Sequence, residues 1–475
     1  MKKLIILALG VATMTSCKKA FEKINTNPNA AELASPDLLF SGASVNLVTT
    51  RAGGDLYISL ALAAQTIASG GDYGWGADDV YAVSPYSTGN VWRTSYVSTA
   101  ANLKQAIKFA EKSNPVKSGA IGQAKVLLAE TMYETTMLFG DIPFSEAWNS
   151  EIVYPHFDNQ EDVLNSILTT LDEAIVSLST TGAEASAITG FDLFYKGDVS
   201  KWLKLANSLK FKVLMTLVDK VPSKATELQA LYDANQMLSS AGDNFKMPFG
   251  TGTGNKNPKF AILEQYAGSY NFFFFANKSV IDPMLADDDP RISKFFDLGL
   301  GDTTDTYQGV ESEEEADEFT STISMRLYAA TAPEYIMTYQ ELLFLQAEAA
   351  ERGFLSGGRA LAEEKYQEAI LQSCLLAGVA NGVASDFAAT KSLTNLTDIY
   401  LQNWIDQMDR PIEAFNTWRR SGTKGNETPT LQIPRGAPNA GLMYRWEYPL
   451  DNEINPNVNA PKTKINYYEQ QWFDL

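Results

Sequence analysis

The chain has 475 residues, 45% of them hydrophobic and 11% aromatic, enough apolar material for a sizeable globular core. Its 57 acidic residues outweigh 38 basic ones, and the net charge of −19 excludes nucleic acid and anionic lipid surfaces as partners. His156 is the one histidine, which excludes a two-histidine zinc motif, and neither a Gly-x-Ser-x-Gly elbow nor a Gly-rich phosphate loop occurs, so no catalytic residue, metal or cofactor is assigned.

The N-terminus begins Met-Lys-Lys, continues through an apolar stretch from Leu4 to Ala12, and ends in Thr13-Met14-Thr15-Ser16-Cys17. That run is too short to cross a hydrocarbon layer of ~30 Å, and residues 1–16 are read as a secretory signal. The small residues before Cys17 resemble a lipobox with Met14 in place of the usual Leu, so Cys17 is the expected lipidation site. Cys374 is the other cysteine, and with Cys17 acylated no disulfide is expected. Loss of Lys2 and Lys3 with the signal leaves 36 basic against 57 acidic residues, a net charge of −21. Residues 17–34 read as a lipidated tether, and no Pro- or Ser-rich linker divides residues 35–475, which are expected to form a single domain.

Helical spacing predicts helices over 97–112, 119–139, 160–178 and 200–219, the last with Trp202, Leu205, Leu209, Val213 and Leu217 in register. The second carries Ile121, Ala124, Leu128 and Leu138 and stops at Gly140-Asp141-Ile142-Pro143. A helix over 334–352 places Ile336, Tyr339, Leu343, Ala347 and Ala350 on one face. After a turn from Gly353 to Gly358, Ala362, Tyr366, Ala369 and Ile370 continue the pattern. The order Ala350, Ala362, Tyr366, Ala369 matches the small-small-aromatic-small rhythm of a tetratricopeptide repeat. Between 240 and 332, Gly, Thr, Asn and acidic residues with short apolar runs predict long loops and brief strands. The expected fold class is mainly all-α, with loops and a few short strands carrying function.

The loop from Gly70 to Gly89 holds Asp72, Tyr73, Trp75, Asp78, Asp79, Tyr81 and Tyr86. Aromatic faces suit the C–H faces of sugar rings, and Asp or Asn accepts hydroxyl hydrogen bonds, so Asp72, Tyr73, Trp75 and Tyr86 are candidate ligand residues. The competing reading is that these aromatics anchor their own loop. Tyr266, Tyr270, Asn271 and Phe272–Phe275 form a second aromatic segment; Tyr270 and Asn271 are its ligand candidates. On a strand, two of the four phenylalanines would be buried and two would face a cleft, although core packing is the default for most of them. The segment Glu311–Glu318 lacks the ligand spacing of a calcium loop and reads as a solvated loop; Asp287-Asp288-Asp289-Pro290-Arg291 reads as a helix start. Arg419, Arg420, Arg435 and Arg445 are expected in structural ion pairs.

Five stretches in order carry a family resemblance. They are Asn25-Thr26-Asn27-Pro28-Asn29, Leu138–Ala147 around Gly-Asp-Ile-Pro, Asp288-Asp289-Pro290-Arg291, Thr338–Ala349, and a C-terminal group comprising Trp418–Gly422, Ile433-Pro434-Arg435 and Arg445–Asn455. Together they resemble the SusD/RagB lipoproteins, in particular the second SusD-like subgroup. The resemblance implies tetratricopeptide-like helix pairs in a lid on a SusC-like TonB-dependent outer-membrane transporter. It also implies capture of an oligosaccharide or, in some members, a peptide. Surface-exported members commonly carry acidic residues soon after the lipidated cysteine, whereas Lys18-Lys19 stand here, a departure that bears on which leaflet face the protein occupies. The rival readings from other classes are a carboxylate-pair glycoside hydrolase and a helical scaffold for envelope proteins.

Overall fold

The computed structural model describes residues 35–71, 76–266, 274–449 and 454–474. The signal segment, Cys17 and the tether lie outside them.

The molecule is organised around one helix that is buried on all sides. In α6 (Ser118–Phe139) every residue from Gly119 to Phe139 except Lys125 is buried, the pattern of a helix at the centre of a bundle. The preceding α1 (Pro36–Arg51) and α5 (Ala101–Glu111) pack against it, as does α7 (Gln160–Leu178) on another side. α1 starts at Ser35, whose hydroxyl accepts from the Asp37 amide at 3.2 Å with Pro36 in the first turn. α7 is capped by Asn159, which accepts from the Asp162 amide at 3.0 Å, and buries Val163, Leu164, Ile167, Leu168, Leu171, Ala174 and Leu178 along one stripe. A methyl on Gly122 would meet Leu178 at 2.5 Å, so α6 and α7 pack at a distance that glycine sets. α8 (Val199–Leu217) follows, capped by Asp198.

A second helix pair, α13 (Tyr339–Glu351) and α14 (Gly358–Ala377), forms the hairpin expected from the repeat rhythm, with Ala350, Ala362, Tyr366 and Ala369 buried. The predicted start of this unit was two elements in one. Glu334–Met337 is strand β6, paired antiparallel with β2 (Phe245–Met247), and Thr338 caps the helix. Ile336 is therefore a strand residue; its β-branched side chain suits the pleat better than a first helical turn. The predicted helix over 97–112 likewise divides into wide π-type turns over Thr94–Ala100 and regular α5. The 240–332 region holds brief strands, as expected, and also helices α10 (Pro258–Tyr266), α11 (Lys278–Ala286) and α12 (Ile292–Phe295). Near the end, α16 (Leu396–Asp406) and α17 (Pro411–Arg420) return to the centre.

A buried ionic network joins the first and last helices. Arg51 pairs with Glu134 and, at 3.0 Å, with Glu413; Lys212 lies 3.0 Å from Glu341. Lys259 lies 3.0 Å from both Glu334 and Asp409, and Arg410 lies 2.5 Å from both Glu341 and Asp406. Such charges are tolerated inside only when mutually paired. Of the C-terminal arginines, Arg420 pairs with Glu348 at 2.8 Å and Arg435 with Glu313 at 3.3 Å, as expected. Among the described residues, Arg419 and Arg445 do not form the expected carboxylate pairs. Arg419 donates to the Tyr444 carbonyl at 3.0 Å and to Asn416, and Arg445 donates to the Phe139 carbonyl. They satisfy chain carbonyls where the C-terminal segment crosses the end of α6.

Candidate functional site

A short antiparallel pairing connects the two aromatic segments. β1 (Ile67–Ala68) pairs with β3 (Phe275–Ala276) in the register Ile67↔Ala276 and Ala68↔Phe275. The chain leaving Ala68 and the chain arriving at Phe275 therefore meet at the same end of the ribbon, although about 200 residues separate them in sequence. β5 (Thr322–Ile323) and β4 (Phe296–Asp297) complete the sheet in the order β1-β3-β5-β4.

The root of the 70–89 loop is tightly held. Gly70 adopts φ +69°, and a methyl there would meet the Phe275 ring at 2.5 Å, so no other residue fits where the loop leaves the sheet. The Ala316 amide donates to the Gly70 carbonyl at 3.2 Å. The Ser69 amide donates to Asp79 at 2.9 Å, and the Ser69 hydroxyl also donates to it. Burial pushes the Asp79 carboxyl up to about 6 against the opposing pull of the Ser69 hydrogen bonds. Asp78 is pushed to about 6 by the same cause, opposed by the Ser59 hydroxyl. Both lie on α3 (Gly76–Asp79) and are buried.

Tyr81 is 3% exposed, its hydroxyl accepts from Gln65 at 2.7 Å and its ring packs on Tyr467 at 5.5 Å. It is a loop anchor, the bland reading of the two. Tyr86, at the start of α4 (Pro85–Arg93), is 83% exposed and free to meet a ligand. Asp72, Tyr73, Trp75, Tyr270 and Asn271 lie outside the described residues, as do Phe272 and Phe273. Phe274 is buried against Tyr328 at 5.9 Å and Phe275 is half-buried, the alternation a strand requires.

Two further segments close on this face. Glu313 accepts from the amides of Arg435 and Gly436, both at 2.5 Å, so the segment Glu311–Glu318 is not merely a solvated loop; it clasps the C-terminal segment. A polar cleft of about 340 Å3 opens beside the ribbon, lined in part by Gln65, Asn277, Ser279, Asp282, Glu311 and Gln432. Amides, hydroxyls and carboxylates of this kind exchange hydrogen bonds with sugar hydroxyls. Sequence reading missed these residues because nothing in their local pattern marks them; only the pairing of β1 with β3 and the return of residues 430–437 bring them together.

Among the described residues, Glu130, Glu134 and Glu413 are the three carboxylates close enough to share an ion. Arg51 and Lys212 already occupy that space, so the group is structural. The 287–291 segment runs into α12 at Ile292, as the helix-start reading expects, while its carboxylates pair with cations, Asp289 with Arg291 at 2.5 Å and Asp287 with Lys391. His156 is exposed and lies 2.8 Å from Glu146 and 3.0 Å from Asp158, held in a surface turn.

Residues 28–449 match the model of the second SusD-like group, described as starch-binding and associating with the outer membrane. Among solved structures, a chitin-binding protein superposes with TM-score 0.77 at 22% identity, covering 93% of this chain and 100% of that one. A SusD/RagB family protein of Bacteroides thetaiotaomicron gives 0.76 at 22% identity, over 93% and 99% of the two chains. A chitin-binding SusD homologue of Flavobacterium johnsoniae gives 0.73 at 21%, over 92% and 97%. At these identities the likeness is one of fold. No curated protein matches the sequence.

Proposed function

This chain belongs to the SusD-like family of starch-binding proteins that associate with the outer membrane, and from that premise we propose that it captures an oligosaccharide and delivers it to a SusC-like TonB-dependent β-barrel. The ligand residues are Trp75, Tyr73, Asp72 and Tyr86 from one loop and Tyr270 and Asn271 from the other. The observation that supports this most is the β1–β3 register, which starts both aromatic segments from one end of one ribbon. The polar cleft beside it adds hydrogen-bonding groups for hydroxyls.

The chain acts by binding, without catalysis, cofactor or metal. Cys17 carries the lipid, residues 17–34 tether the body, and the body sits on the cell surface as a lid over the barrel. Tethering raises the local concentration, so affinities between micromolar and millimolar suffice. Energy for import enters through the barrel, which frees this chain from any need for a nucleotide site.

The test is titration calorimetry of the soluble form starting at Lys18 against malto-oligosaccharides, chito-oligosaccharides and peptides, with the sugar recovered and analysed afterwards. Saturable heat with an unchanged sugar is the expected result. Peptide-only heat, released hydrolysis products, or silence across the panel each contradict the proposal. Protease treatment of intact cells tests placement: cleavage of the protein is expected, and survival while an accepted surface protein is cut places it inside.

A further inference from the structure

A cleft of about 600 Å3 lies between α5 and the loop 144–150. Its walls include Lys104, Gln105, Lys108, Phe144, Trp148 and Asn149, and no carboxylate lines it, which is unusual on a chain with a net charge of −19. Neither Lys104 nor Lys108 has a hydrogen bond or an ion pair among the described residues, and both are exposed. Glu111, at the end of α5, acts on Lys104 from outside the cleft lining, and the other neighbouring acids are already engaged. Glu146 and Asp158 hold His156, the Phe144 and Ser145 amides also donate to Asp158, and Glu173 is taken by Lys125 at 2.8 Å.

Trp148 stacks on Tyr96 at 5.9 Å and 27°, and the Lys104 ammonium lies 5.1 Å from its ring centre. An exposed cation–π contact of this kind is weak, so a carboxylate can draw the ammonium off the ring and uncover an aromatic face. Ala147 and the Tyr96–Trp148 stack form the common wall with a second cleft of about 420 Å3, where Trp92, Tyr154, Pro155 and Phe157 offer apolar area. Salt screens the distant net negative charge beyond a Debye length of about 8 Å, so Lys104 and Lys108 are the charges that line the cleft itself.

We propose that this double cleft is a second saccharide site, separate from the loop face, and that it takes an acidic sugar whose carboxylate meets Lys104 and Lys108. The side-chain amides of Gln105 and Asn149 serve the hydroxyls, and following sugar rings lie along Tyr154 and Phe157. Charge and aromatic area together select a uronate-bearing oligosaccharide over a neutral one.

The test titrates the full mature chain in detergent with a galacturonic acid trimer and, separately, with the neutral galactose trimer. The acidic trimer is expected to bind saturably and roughly tenfold or more tightly than the neutral one. Lys104→Gln with Lys108→Gln should weaken the acidic trimer by a similar factor, while Trp75→Ala leaves it unchanged, which separates this site from the loop face. Equal binding of the two trimers, no binding of the acidic trimer, or full retention in the lysine double variant overturns the proposal. Equal competition by a short polyglutamate overturns the saccharide class. Thermal melting of the double variant should stay close to the parent, because the lysines lose no hydrogen bond or ion pair and the exposed Lys104–Trp148 cation–π contact is weak.

Discussion

The Gln65 side-chain amide donates to the Tyr81 hydroxyl at 2.7 Å, and both residues hold left-handed backbone conformations, with φ 58° and 65°. Neither is glycine, so each conformation costs on the order of 1 kcal/mol and must be imposed by its surroundings. The same Gln65 amide donates to the Gln432 carbonyl at 2.6 Å, and the Gln432 amide donates back at 3.2 Å. One side chain thus fastens the returning end of the 70–89 loop and the C-terminal segment to the sheet that starts the loop.

Tyr81→Phe removes one acceptor and leaves the Gln432 bonds, and about 1 kcal/mol of stability should be lost. Gln65→Ala removes all three bonds and should cost about twice as much. Urea denaturation of both variants checks the order; equal effects would show that the Tyr81 hydroxyl carries the whole fastening.

Asp79 makes the loop root sensitive to pH. Its carboxyl is raised from the ordinary value to about 6, so the folded state holds the proton more tightly than the unfolded state does. The stabilisation is complete below about pH 4, where both states are protonated, and is lost as pH rises through about 6. A rise of this size in a buried group corresponds to roughly 3 kcal/mol at most. Asp79→Asn keeps a carbonyl for the Ser69 donors and should flatten the decline in stability between pH 4 and 7, measured by urea denaturation at each pH. An unchanged slope would place the titration elsewhere.

Arg51 is the hub of the buried network, and Arg51→Met removes the cation paired with Glu134 and one of the two near Glu413. Removing one partner of a buried ion pair destabilises by about 3–5 kcal/mol, and Lys212, 3.6 Å from Glu413, stays in place to limit the loss on that side. The variant should show a loss of that size in denaturant midpoint analysis, or fail to accumulate. A loss below about 1 kcal/mol, the range of exposed pairs, would show that water reaches the network.

Gly140 ends α6 with φ +84°, and a methyl there would stand 3.1 Å from the Arg445 guanidinium that bonds the Phe139 carbonyl. Gly140→Ala should destabilise by about 1–3 kcal/mol through backbone strain and displacement of Arg445. Thermal unfolding of Gly140→Ala beside Gly182→Ala, where φ is also positive but space is open, separates the two causes.

Helices with long regular stripes, such as α7 and α8, were legible because spacing alone decides which face is buried. The Gly140 stop was legible for a related reason: glycine followed by proline leaves the chain few ways to continue a helix. Strand β6 was hidden because Glu334–Met337 runs directly into the apolar face of α13, and only the partner strand Phe245–Met247 distinguishes them. Tyr81 and Tyr86 look alike in sequence, five residues apart in one Gly-rich loop. Tyr81 is 3% exposed and Tyr86 83%, because Gln65 and the distant Tyr467 hold Tyr81 alone. The acidic clasp at Glu313 was equally hidden, since its partners are the amides of Arg435 and Gly436.

The central claim is that two distant aromatic segments build one saccharide site. The most direct measurement is a double-mutant cycle on the affinity for the best-binding neutral oligosaccharide, using Trp75→Ala, Tyr270→Ala and the combined variant. The account predicts that each single change weakens binding by about tenfold or more and that the combined loss departs from the sum of the two by at least about 0.5 kcal/mol, the signature of residues sharing a partner. Undiminished affinity in either single variant, or strict additivity in the pair, would contradict it.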